Sequence, residues 1–341
     1  MHGLVRVAAF LVASVSGSLL AVIVLQYREI LESSEQLATP PARYALQRSA
    51  SYQSWLSNLG MERAGSGATS EARLLYERVP VLCLVRATSA QQARSVLNTW
   101  SRRCNRAVFF GGLSDPHVPV ERVSGGACAL FTRVLAKHRG SFRWLLLVDD
   151  EAFAVVENLR FYVAPLNASD IHYLGHPVRW GSAFYNALAA GVALSEGAVQ
   201  ALRHRCRAAA SSEELERAVA AALPGVPVDT RDPLLRGRFN PFAVEEMIVP
   251  GSVAYGHPHR RSSLFRSPEG GRCCSQHAIT FHGVNPVDMF LLEYLVYGLH
   301  VGSGGGLSPT SSPPANAPME LASLLRGKAF VKPYGIIAGT F

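Results

Sequence analysis

Three consecutive acids, Asp149, Asp150 and Glu151, end the apolar run Trp144-Leu145-Leu146-Leu147-Val148. A short buried strand that stops abruptly in carboxylates can hold a divalent cation against a diphosphate. Oxygen donors suit Mn²⁺ or Mg²⁺, and the ion neutralises the charge on a departing phosphate. The last acid is a glutamate, one methylene longer than aspartate, so its reach is altered while its charge is kept. The three acids together therefore give a candidate metal site, working or residual. His257, His259, His277 and His282 are also ligand types, but no carboxylate or cysteine spacing completes a site around them. They read as loop and core histidines, and Trp180, Tyr294 and Tyr297 as core aromatics. Glu213, Glu214 and Glu216 read as favourable acids in the first turn of a helix capped by Ser211 or Ser212.

The acids need elements to position them. Val81-Leu82-Cys83-Leu84-Val85 has strand length and opens the packed region, after Val79-Pro80. A polar helical stretch over 91–104 follows, then the strand Ala107-Val108-Phe109-Phe110, a helix over 126–138 and the Trp144–Val148 strand. Beyond the acids the pattern predicts a helix over 154–164, a strand over 171–175, strand then helix over 191–205, and a helix over 212–223. Strands alternating with helices of ten or more residues predict an α/β fold with a parallel-type sheet. In such sheets ligands collect at the carboxyl ends of strands, where the acids would sit.

The chain has 341 residues, enough for one large domain with a substantial core. Hydrophobic residues make up 48% and the mean hydropathy is +0.13, partly because residues 7–27 lack any formal charge. That run, bounded by Arg6 and Arg28, is long enough to cross a bilayer as a helix and exceeds a usual signal-peptide core. It predicts a single-pass type II signal anchor, with a cytoplasmic tail over 1–6 and the remainder lumenal. Residues 28–78 read as a stem with some helix in it, 79–301 as the folded domain, and 302–341 as a mostly disordered tail. Within that tail, 302–317 is rich in Gly, Ser and Pro, and a short helix is expected around 318–325. The formal charge of +8 comes from scattered arginines without interleaved aromatics, which argues against nucleic acid. The six cysteines match no zinc pattern, and disulfides are expected in a lumenal domain. Asn167-Ala168-Ser169 is an N-glycosylation sequon usable in that compartment.

Several blocks together resemble glycosyltransferase family 31, in its core 1 β1,3-galactosyltransferase group. They are Val81-Leu82-Cys83 with Thr99-Trp100-Ser101-Arg102-Arg103-Cys104-Asn105, then Trp144 to Phe153, then Glu157-Asn158-Leu159-Arg160. The most specific runs from Cys273-Cys274-Ser275-Gln276-His277 through Phe281-His282 to Met289 and Glu293-Tyr294-Leu295-Val296-Tyr297. The resemblance implies a glycosyltransferase-A-like, nucleotide-sugar-transferase domain. It also implies a Cys83–Cys104 disulfide bracketing the first helix, and a family cysteine at Cys206 whose usual partner has no counterpart. Cys128 is additional.

The group holds active transferases, which move galactose from UDP-galactose to O-linked N-acetylgalactosamine. It also holds a Cosmc-type branch, membrane-anchored endoplasmic-reticulum chaperones of the transferase that lack the metal motif. In the enzyme pattern the last acid of the motif contacts the metal, which here is Glu151. A glycine pair of that pattern is Leu188-Ala189 here, and side chains there would obstruct close backbone approach to a ligand. The acidic pair supplying the general base becomes Glu213-Glu214, with Glu214 at the base position. All three features are weakened. The resemblance therefore implies a Cosmc-like chaperone with core 1 β1,3-galactosyltransferase as client and no cofactor, in the endoplasmic-reticulum membrane. A homodimer is compatible with it. The alternative is an active, Golgi β1,3-galactosyltransferase using Mn²⁺ at Asp149 and Glu151 with Glu214 as base.

Overall fold

Two six-residue runs set the architecture. β1 (Val81–Arg86) and β4 (Trp144–Asp149) pair in parallel, Val81 opposite Trp144 and Arg86 opposite Asp149. Both are apolar at nearly every position because both faces of the sheet are covered. Val81, Cys83, Val85, Trp144, Leu146 and Val148 pack into one core, whereas Leu82, Leu84, Leu145 and Leu147 pack into the other. The computed structural model describes residues 20–25, 54–55, 71–122, 126–180, 183–205, 212–223 and 228–299.

The main sheet has the order β3-β2-β1-β4-β9-β6, with β2 (Arg106–Phe110), β3 (Val120–Glu121), β6 (Tyr173–Gly175) and β9 (Val192–Ser195). The β3-β2-β1-β4 half is parallel. β9 and β6 run antiparallel to their neighbours, so the sheet is mixed and not the wholly parallel one expected from the pattern. One face carries α1 (Glu71–Arg78), α2 (Ala90–Asn98), α4 (Val156–Val163) and α9 (Pro286–Tyr297). The other carries α3 (Gly126–His138), α5 (Glu196–Arg205) and α6 (Ser212–Ala222). Remaining elements are a hairpin of β7 (Pro177–Trp180) and β8 (Ala183–Asn186), and the short helices α7 (Val244–Ile248) and α8 (Pro258–Ser262). The result is a mixed α/β, glycosyltransferase-like domain.

The strands and long helices predicted for the packed region fall where the pattern put them, within a few residues, except that the helix expected over 91–104 ends at Asn98 and gives way to a 3-10 turn over Trp100–Arg103. At the end of the expected stem Glu71–Arg78 is helical, and it inserts Leu75 into the core. Cys83 in β1 is disulfide-bonded to Cys104, just after the 3-10 turn Trp100–Arg103, which fastens the first βαβ unit. Cys273 and Cys274 are bonded to each other. The side chains of Cys128 and Cys206 lie outside the described set. Of the predicted membrane segment only residues 20–25 are described; they are helical, with Leu20, Val22, Ile23, Val24 and Leu25 exposed. Among the described residues no helix is long and apolar enough to cross a membrane.

A second, three-stranded sheet decides the site. β5 (Phe153–Ala154), directly after the acids, pairs antiparallel with β11 (Thr280–Phe281), which pairs in parallel with β10 (Phe239–Asn240). Phe281 lies opposite Phe153, so the residue after β11 is delivered to the acidic turn. The helix expected from residue 154 begins only at Val156, and Ala154 closes the strand β5 instead.

Candidate functional site

Asp149 closes β4 and Glu151 stands in the turn beyond it. Asp150 between them is engaged differently. Its side chain is fully buried, and it accepts hydrogen bonds from the Thr88 N–H (2.8 Å), the Thr88 hydroxyl (2.7 Å) and the Ser89 N–H (2.9 Å). Ser89 is the N-cap of α2, so Asp150 organises the start of that helix and is spent as a structural acid.

The residue delivered by β11 is His282. Its Nε2 lies 3.2 Å from Asp149 Oδ2 and 3.7 Å from Glu151 Oε2. Burial pulls the imidazole's pKa down, but the Asp149 hydrogen bond and the charges of Asp149 and Glu151 outweigh it, leaving the value raised above the ordinary one. Arg86, at the end of β1, approaches Asp149 at 3.6 Å. An imidazole and a guanidinium thus stand on a carboxylate expected to face a metal. Sequence reasoning set His282 aside as a core or loop histidine. The signal that could have found it is its place: one residue past a strand end, as Asp149 is at one.

A cavity of about 530 Å³ opens over these groups. Its far wall contains Leu188 and Ala189, on the 3-10 turn Leu188–Ala190 that precedes Gly191. Leu188 is buried and belongs to the core beneath the cavity. Its N–H donates to Glu216 Oε1 at 2.6 Å. Gly191 must be glycine: its φ is +77°, and a Cβ there would lie 3.0 Å from Val148 and 3.1 Å from Thr280. The Thr280 hydroxyl donates to the Ala190 carbonyl, tying β11 to this turn. Glu214 lies in α6, with its side chain outside the described set, whereas Glu216 lines the cavity. The candidate base read from sequence is thus accompanied by an acid two residues on that reaches the site and is engaged by backbone.

The donor types at Asp149, Glu151 and His282 fit a divalent cation such as Mn²⁺, with two carboxylates and one imidazole. Their disposition is that of an ion pair. Among the described residues no group of three or more His, Cys, Asp or Glu side chains is arranged to hold a metal. For Nε2 to serve as a ligand, His282 would have to give up its proton and turn its lone pair away from Asp149.

No family model matches the chain. A relative does. The Xenopus laevis Glycoprotein-N-acetylgalactosamine 3-beta-galactosyltransferase 1 is 27% identical over 245 residues, covering 66% of this chain and 68% of its own length. The chain is similar to a β1,3-galactosyltransferase. With the α/β architecture, this likeness supports a glycosyltransferase-like function.

The blocks that carry the resemblance also meet in space. Arg103 Nη2 is 2.8 Å from Glu293 and Nη1 3.6 Å from Glu157; the Tyr297 hydroxyl donates to Glu157 at 2.6 Å, and the Arg103 guanidinium lies over the Tyr297 ring. This cluster anchors α9 to α4 on the side of the sheet away from Leu188. A second, more apolar cavity of about 240 Å³ adjoins the first, lined by Phe239, Phe242, Met247 and Val253, with His259 shared between the two.

Proposed function

We propose that this chain is a Cosmc-like chaperone of the endoplasmic-reticulum membrane that assists folding of core 1 β1,3-galactosyltransferase, using a transferase scaffold without transferring sugar itself. The observation that carries the reading is the self-satisfied cavity. Asp149 is paired with His282 and Arg86, Asp150 is spent on α2, and Leu188 fills the wall with its N–H closed onto Glu216. A donor diphosphate brought with a cation would have to displace these internal partners. The anchor over residues 7–27 would hold the chain to the membrane as a single-pass type II protein, with Asn167 open to glycosylation and no cofactor required.

One observation favours a second reading, an active β1,3-galactosyltransferase using UDP-galactose. The cavity measures about 530 Å³, and Asp149, Glu151 and His282 stand together at its edge as candidate Mn²⁺ ligands. The cation would supply charge neutralisation of the leaving diphosphate. Glu216 or Glu214 would take the acceptor proton.

The deciding experiment has two arms. The purified lumenal chain is assayed for transfer from UDP-galactose to an N-acetylgalactosamine acceptor with and without Mn²⁺, beside Asp149→Ala. It is also co-expressed with core 1 galactosyltransferase in cells lacking their own chaperone. The expected outcome is no metal-dependent turnover and a rise in soluble, active transferase. Turnover that requires Mn²⁺ and disappears in Asp149→Ala would sink the chaperone reading.

A further inference from the structure

α9 is apolar on both sides. Its start is well specified: the Asn285 side chain accepts the N–H groups of Val287 and Asp288, and Pro286 occupies the first turn. Its inner face is fixed by fully buried Met289 and by the Arg103–Glu293 and Tyr297–Glu157 contacts. Its outer face presents Val287, Leu291, Tyr294, Leu295 and, just beyond the helix, Leu299, between 46% and 65% exposed. Their spacing of three and four residues lines them into one stripe. Helices apolar all round are ordinarily covered on both sides. At twelve residues α9 is about 18 Å long. A stripe of that size is far below the roughly 800 Å² per partner typical of stable complexes. A second copy would therefore not be held by it alone. A tethered segment of the same chain is not under that limit, because its effective concentration is on the order of millimolar.

The chain supplies such a segment directly after α9. Residues 302–317 form a sixteen-residue stretch rich in Gly, Ser and Pro. After it comes Pro318-Met319-Glu320-Leu321-Ala322-Ser323-Leu324-Leu325-Arg326-Gly327. Pro and Glu at its start, Leu321, Leu324 and Leu325 on one face, then Arg326 and Gly327, spell a short amphipathic helix. For a Gly/Ser-rich sequence of sixteen residues the expected mean span is about 22 Å, close to the length of α9. That reach lets the segment return along the stripe from either end. We propose that residues 318–326 dock through Leu321, Leu324 and Leu325 onto the outer face of α9 in the same molecule. The cover would be intramolecular and displaceable, and it stands whether or not the chain catalyses.

The test uses the full chain and its Leu321→Asp/Leu324→Asp/Leu325→Asp variant, whose changes lie outside the described body. Amide hydrogen exchange is followed in peptides spanning 286–299, and tryptic cleavage after Arg326 is timed in parallel. The expected result is exchange about tenfold slower in the unaltered chain at every protein concentration, with cleavage after Arg326 slowed to match. Both protections should be lost in the triple variant. Leu291→Asp, altering the other side of the contact, should release cleavage after Arg326 equally. Equal exchange in the unaltered and triple-variant chains would overturn the proposal. So would protection that grows with protein concentration, which would assign the stripe to a second copy.

Discussion

Adjacent carboxylates in this chain have unrelated work. Asp149 is held by His282 and Arg86 at the cavity edge, Glu151 is half exposed beside them, and Asp150 is fully buried as the acceptor for Thr88 and Ser89. Replacing Asp150 by alanine removes the acceptor of two backbone N–H groups and a hydroxyl, on residues exposed enough for water to take up part of the loss. We expect Asp150→Ala to cost about 1.5 kcal/mol in urea denaturation and Asp150→Asn less, since the amide oxygen still accepts. The acids were legible as a cluster because an apolar run ending in carboxylates is unusual in any fold. Their division of labour was not, since it depends on Thr88 and His282, more than sixty residues to one side and more than one hundred and thirty to the other. The same holds for Glu214 and Glu216. Helical spacing identifies the helix that carries them, but which acid reaches the cavity is set by how α6 packs against β8.

Element by element, legibility followed length and burial. β1 and β4 announce themselves by continuous apolar residues, and the long helices of the second face by their period. β5, β10 and β11 are two residues each, too short to show any period, and the site hangs on them. The α9 aromatics read as core; Tyr297 is held inward by Glu157, but Tyr294 is 58% exposed because the helix is apolar on both sides. The seam between β6, β7 and α8 carries a pH signature. His176, at the β6–β7 junction, shares a 2.8 Å hydrogen bond with the Ser263 hydroxyl. Burial, aided by neighbouring His259 and Arg231, pushes its pKa down to about 4. Unfolded histidine titrates near about 6.5, so the folded value is the lower one. The seam's contribution to stability is thus present above the unfolded value and lost as pH falls from there toward the folded value. Thermal denaturation should show Tm falling across that window in the unaltered chain, and a flatter profile in His176→Gln.

For the molecule as a whole, topology in the cell follows from one exposed turn. Asn167 follows α4 at the surface, and its side chain accepts only the Ser169 N–H, at 3.1 Å. If the segment over 7–27 anchors the chain as proposed, Asn167 faces the lumen. The full chain expressed in animal cells should then lose mass on peptide-N-glycosidase treatment, and Asn167→Gln should start at the lower mass. An unshifted wild-type band would argue against lumenal placement or use of the sequon. The small sheet has a further consequence, in the order of synthesis. Asp149 and His282 are 133 positions apart. At ordinary translation rates the acid precedes its imidazole by on the order of ten seconds. Through that interval β4 can pair with β1 and Asp149 can meet Arg86. β5 still lacks its neighbour, and Gly191 lacks the threonine that later packs against it. The acidic turn thus leaves the ribosome with Arg86 as its one early partner, and its imidazole partner arrives with a strand made near the end of the folded body.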